Sequence, residues 1–128
     1  MQPDYFDTYF DAFFDGYVEA ALWSSMNPDA ENRALDMDYS PDDLARETRR
    51  KMIADCRAFI RGNEAALDDA RRRGLLAPNA GRAFWLTRNR HGTGFWDRGL
   101  GALGARLTRA AYAYGEVDLY VSRGKIRA

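Results

Sequence analysis

The sequence predicts an α+β domain: a small antiparallel sheet, formed by a hairpin at 84–97 and a strand at 116–121, covered by about four helices. Three observations carry this expectation. Apolar residues recur at helical spacing over 4–24, 40–61 and 99–114. Two Phe-Trp pairs, Phe84-Trp85 and Phe95-Trp96, flank a polar turn rich in glycine. The stretch from Glu116 to Leu119 alternates polar and apolar residues, as a half-buried strand does. With 128 residues, 46% hydrophobic and 13% aromatic, residues 1–128 read as one domain that buries its own core. Its helical part runs over about 4–73, and the hairpin, helix and terminal strands over about 82–127.

In the first helix, Tyr5, Phe6, Tyr9, Phe10, Phe13, Phe14 and Tyr17 fill one broad face. Asp4, Asp7, Asp11, Asp15 and Glu19 recur every three or four residues and form an acidic stripe on the other face. Like charges at that spacing repel by roughly 0.2–0.5 kcal/mol per pair, so a chain that keeps the stripe is expected to meet cations, its own or a partner's. Residues 25–39 lack a period and read as an ordered surface loop. Ser40-Pro41-Asp42-Asp43 has the pattern of a helix start, with Ser as N-cap, Pro at the first position and carboxylates in the first turn. That helix is expected to end near Gly62, and a further one to run from Glu64 to Arg73, closed by Gly74. Residues 75–81 read as a connector.

Phe84–Arg88 is expected as a strand, Asn89–Gly94 as the turn, and Phe95–Asp97 as the returning strand. Gly99 to Tyr114 returns to helical spacing through Leu103, Leu107, Ala110, Ala111 and Tyr114. Ser122-Arg123-Gly124-Lys125 is expected to turn the chain into a short last strand at Ile126-Arg127.

Composition narrows the chemistry. A single cysteine, Cys56, excludes an intramolecular disulfide and a Cys-rich zinc site, and a single histidine, His91, excludes a multi-His metal site. The acids at 36–43 lack the calcium-loop pattern, so no metal or cofactor is expected. No apolar run reaches the roughly 18 residues of a membrane span, and no signal-peptide pattern is present; the expected setting is a reducing cytoplasm with no membrane partner. Net charge is zero, but residues 1–47 hold twelve acids and two bases, whereas 48–128 hold seventeen bases and seven acids. Either the halves neutralise each other, or one of them faces a charged macromolecule.

Two segments could carry a site. One is the acidic stripe of Asp7, Asp11, Asp15 and Glu19, extended by the acids of 29–43. The other is the polar cluster Arg88, Asn89, Arg90, His91, Asp97 and Arg98 at the expected hairpin tip, where arginine and histidine could meet an anion or an acidic surface. Arginines interleaved with Phe84, Trp85, Phe95 and Trp96 also fit single-stranded nucleic acid, which stacks on aromatic rings. A small enzyme using His91 as acid or base is a third reading. No nucleophile-elbow or Walker pattern is present, and Gly99-Leu-Gly-Ala-Leu-Gly104 has dinucleotide-loop spacing without the βαβ frame that motif requires.

The stretch from Gly81 to Arg98, with Tyr114-Gly-Glu-Val-Asp-Leu-Tyr120 downstream and Tyr17–Trp23 and Met52–Cys56 upstream, resembles a group of small uncharacterised bacteriophage and mobile-element proteins. Their usual form reads Gly-His-Asp-Phe-Trp-Leu-Thr-Arg-Asn-Gly-His-Gly-Ala-Gly-Phe-Trp-Asp-Arg. Here Arg82, Ala83 and Arg90 replace the His, Asp and first turn Gly of that pattern. The resemblance implies a phage or prophage accessory gene acting in the host bacterial cytoplasm. Such genes frequently encode inhibitors of restriction or CRISPR complexes. An acidic surface that imitates a phosphate backbone would suit that role. The expected function is therefore a non-enzymatic protein that binds and inhibits a host defence complex. The alternative is a nucleic-acid-binding accessory protein using the arginine-rich half.

Overall fold

The computed structural model describes residues 3–128, and side chains from Tyr5 onward; the Asp4 side chain of the acidic stripe lies outside them. Five α-helices are described: α1 (Pro3–Ser24), α2 (Arg46–Gly62), α3 (Glu64–Arg72), α4 (Ala77–Arg88) and α5 (Ala102–Tyr112). Two small antiparallel hairpins accompany them, β1 (Met26–Asn27) with β2 (Arg33–Ala34), and β3 (Tyr120–Ser122) with β4 (Lys125–Arg127). The class is α+β. The helices pack mainly on one another, and the hairpins sit at the margin.

The expected hairpin at 84–97 is not formed. Phe84–Arg88 is the second half of α4, and Phe95–Asp97 is a single 3-10 turn. The connector at 75–81 is corrected with it, since α4 begins at Ala77 with Pro78 in its first turn. The physical reason is burial on all sides. From Ala80 to Arg88 every residue but Arg82 is buried. Helical period is lost in such a segment, and an aromatic run then imitates a strand.

What makes this possible is the crossing of α1 and α4, the most extensive helix pair in the molecule. A Cβ on Gly16 would stand 2.0 Å from the Pro78 carbonyl oxygen, and one on Gly81 would stand 1.9 Å from that of Phe13. Only glycine lets the two backbones approach so closely. The contact brings Phe13 and Tyr17 onto Phe84. Phe84 then stacks on Phe59 of α2 at 4.1 Å between ring centroids. Phe95 and Tyr114 close the cluster around Phe59.

The other expectations fare unevenly. α1 and α5 lie where their spacing predicts them, α3 where its end signals do, and α2 ends as expected but begins later, at Arg46. Ser40 does build a capping box with Asp43, but it caps only the 3-10 turn Pro41–Asp43; the chain is extended at Leu44 and Ala45 before α2 begins. The strand expected at 116–121 is shifted: 116–119 is irregular and β3 starts at Tyr120. The turn after it is as expected, with Arg123 and Gly124 both at positive φ and Ser122 opposite Lys125. β4 also anchors the start of α2, through the Ala45 amide, which donates to the Ile126 carbonyl at 2.9 Å.

Replacing Gly81 by Ala forces a methyl group into the Phe13 carbonyl. Chemical denaturation of Gly81→Ala is expected to show a loss at or above the ~3 kcal/mol upper end of ordinary overpacking. Gly62→Ala, where a Cβ meets nothing, is the matched control and should cost no stability.

Candidate partner-binding face

The acidic stripe is an exposed face. Asp7, Asp11, Asp15 and Glu19 all lie on the solvent side of α1, roughly opposite the Phe13, Gly16, Tyr17 and Ala20 face that meets α4. Between the two faces run Phe6, Phe10 and Phe14, stacked along the helix at 6.5 and 5.7 Å. Antiparallel α2 lays three arginines over these rings. Arg61 stands 4.4 Å from the Phe6 centroid, Arg57 5.0 Å from that of Phe10, and Arg49 5.3 Å from that of Phe14. These three cations of α2 are therefore held over aromatic faces. Among the described residues, Asp7, Asp11 and Asp15 have no ion pair, and Glu19 alone meets an arginine, Arg82 at 2.9 Å.

The second predicted cluster is dispersed. Arg88 is 3% exposed and sits inside the molecule. Its Nε donates to the Gly115 carbonyl at 2.8 Å and its Nη2 to the Tyr114 carbonyl at 2.8 Å. Nη1 donates to the Tyr17 hydroxyl at 3.1 Å and to Asp55 Oδ2 at 2.7 Å. Burial pulls the guanidinium pKa down, but Tyr17 and Asp55 outweigh it and hold the pKa above its ordinary value. Arg88 therefore cannot meet a partner; the expectation of an exposed tip arginine is corrected because that position is the buried end of a helix.

Asn89 is a staple as well. Its Nδ2 donates to the Trp85 carbonyl at 2.9 Å, and its Oδ1 accepts from the Val117 amide at 2.8 Å. Asp97 Oδ2 accepts from the Thr93 amide at 2.9 Å, and Arg98 donates to the Thr93 carbonyl at 2.9 Å, so both close the 93–98 loop on itself. Arg90 adopts a positive φ of 56° and lies 4.0 Å from the Tyr112 ring centroid. His91 is exposed and stands edge-on to Trp23 at 5.7 Å. It lines a cavity of about 270 Å³ together with Ser24, Ser25, Asn89, Glu116 and Asp118. Asp97 faces Thr93, and among the described residues the imidazole makes no hydrogen bond.

One further reading changes with the geometry. Phe84, Trp85 and Phe95 are buried, which leaves Trp96 as the exposed member of the two Phe-Trp pairs; a stacking platform for bases is not built from them. Cys56 is buried in the core, and burial first, then Asp55, pushes its thiol pKa well up.

Sequence reasoning missed a concavity of about 560 Å³ between α1 and the 36–42 loop. The acids Asp36 and Asp42 join Asp15 and Glu19 there. The signal available was the charge of 29–43, but nothing in the sequence fixes where that loop folds back. Among the described residues no group of His, Cys, Asp and Glu is placed to hold a metal ion, and no helix is long and apolar enough to cross a membrane. The chain matches no protein-family model, no curated protein and no solved structure.

Truncating Arg88 leaves Asp55 and two carbonyls without their donor. Arg88→Ala is expected to lose about 3–5 kcal/mol in denaturant unfolding, while Arg90→Ala and His91→Ala, both at exposed positions, stay within about 0.5 kcal/mol of the parent. Cys56 is expected to react with a disulfide reagent only as the protein unfolds, so labelling at mildly alkaline pH should follow the unfolding curve.

Proposed function

We propose that this protein works by binding: a phage or mobile-element accessory protein that docks its acidic α1 face on a cationic surface of a host defence complex and obstructs it. The observation that carries this reading is the exposed row of Asp7, Asp11 and Asp15, without an ion pair among the described residues, beside arginines already held over Phe6, Phe10 and Phe14. Carboxylates along one helix face attract cationic surfaces and speed encounter with them. Intramolecular pairing would have removed that field. A partner that normally holds a nucleic-acid backbone offers a matching surface.

The setting rests on the resemblance of 81–98 and 114–120 to small phage proteins. The restriction or CRISPR character of the target follows from that setting by analogy. The site is assigned to α1 in preference to the 88–98 segment, because Arg88, Asn89, Asp97 and Arg98 already bond within the molecule.

The test is a phage-protection assay in a host carrying the targeted defence system. Asp7→Asn, Asp11→Asn and Asp15→Asn combined should leave the circular dichroism spectrum and unfolding midpoint in place while abolishing inhibition. Full inhibition by the folded triple variant would refute the acidic-face reading. The alternative, nucleic-acid binding by the arginine-rich half, predicts a salt-dependent shift of single-stranded DNA that the triple variant leaves intact.

A further inference from the structure

The concavity between α1 and the 36–42 loop lies against the acidic face and has a composition of its own. Phe14, Val18 and Leu22 of α1 and Tyr39 of the following loop make an apolar floor, and Asp15, Glu19, Asp36 and Asp42 stand around it. At about 560 Å³ it is in the size range of about 300–1,000 Å³ in which specific ligands and side chains are taken up. Among the described residues Asp15, Asp36 and Asp42 form no ion pair, while Arg33 of β2 is engaged with Asp38 at 3.0 Å. Among the described residues the one cation lining the groove is Arg49, whose guanidinium lies over Phe14. A guanidinium on an aromatic ring beside free carboxylates is thus already present at one end of the groove.

We infer that this groove is the specificity element of the acidic face. It takes a basic segment of a partner protein, with an apolar side chain of that segment on the Phe14–Leu22–Tyr39 floor and flanking Arg or Lys at Asp15, Asp36 and Asp42. The inference rests on the reading of α1 as a docking face and adds to it a position and a side-chain chemistry. Charge complementarity selects the occupant. An acidic or neutral apolar segment would leave three carboxylates facing it without cations, whereas a basic segment with an apolar anchor satisfies both floor and rim. The loop that carries Asp36 and Asp42 is held for this: the Leu35 amide donates to the Ser25 carbonyl at 2.9 Å, the Tyr39 amide to the Leu35 carbonyl at 2.8 Å, and Ser40 and Asp43 form their capping box.

The experiment is fluorescence anisotropy of the full chain with a fluorescein-labelled peptide in which Arg and Lys flank a central Leu-Trp pair. A control peptide carries Ser-Ser in place of Leu-Trp. Asp36→Asn with Asp42→Asn changes the groove and leaves α1 untouched; Asp7→Asn with Asp11→Asn changes α1 outside the groove. The expected result is saturable binding of the Leu-Trp peptide, weakened about tenfold by the Asp36/Asp42 pair and less than about threefold by the Asp7/Asp11 pair, and about tenfold weaker for the Ser-Ser control. No saturable binding, equal losses from the two pairs, or equal binding of the two peptides would overturn the groove. Any of these leaves the α1 reading to be decided by the phage assay. Concentration-dependent self-association abolished by the Asp36/Asp42 pair would also overturn it, by assigning the groove to arginines of a second copy.

Discussion

The approach of α1 to α4 at Gly16 and Gly81 is the constraint on which the molecule depends. Two helices whose backbones nearly touch have no room for error in rotation or register. Once the crossing is fixed, Phe13 and Tyr17 must face Phe84, and Phe84 must face Phe59. The same rotation aims the opposite side of α1, with its aspartates, at solvent. It also carries the end of α4 inward, so that Arg88 reaches Tyr17 on α1, Asp55 on α2 and the carbonyls after α5. One buried guanidinium then ties three helices and the chain leading to β3. Its desolvation cost is offset by an ion pair and three hydrogen bonds, the condition under which a charge can sit inside a protein.

The charge pattern is decided by the same packing. A chain of zero net charge could have collapsed its acidic first third onto its basic remainder. Instead α2 approaches α1 along the Phe6, Phe10 and Phe14 row, and its arginines cover ring faces. Arginine suits this position because its flat, weakly hydrated head packs on an aromatic ring at little desolvation cost. The aspartates one residue along from each phenylalanine are left facing water. Acidic and basic strips thus lie side by side on a protein with no net charge, the arginines on rings and the aspartates facing water.

In the proposed docking mode, selectivity comes from the groove beside Asp15. Exposed carboxylates attract any cation, and salt screens them. An apolar floor between them adds a requirement for shape and hydrophobic contact that a counterion does not meet. The floor comes from α1, but half of the rim comes from the 36–42 loop, held by the backbone bonds of Leu35 and Tyr39 and by the capping box at Ser40. Loops carried on a rigid scaffold are where binding surfaces are commonly built.

Amphipathic spacing was enough to find α1, α5 and the body of α2, because each of them has a wet face and a dry one, and period is visible only in a helix that is half exposed; α3 was legible from its end residues. The Arg123-Gly124 turn and the acidic stripe were legible for the same reason: turn chemistry and surface charge are local. The 84–97 segment was misread because α4 is enclosed on every side. With almost no polar face, Phe-Trp-Leu-Thr-Arg has nothing to distinguish helix from strand, and Arg88 and Asn89 look like surface residues when their partners lie far along the chain at 17, 55 and 114–117. The amino-acid sequence by itself therefore determined where the half-exposed helices run and which of their faces is acidic. Only the tertiary structure decided that the tryptophan-bearing segment is a buried helix, that the arginines of α2 rest on rings, and that Asp36 and Asp42 come round to Asp15. Each of these depends on contacts between residues distant in sequence, and no local pattern encodes them.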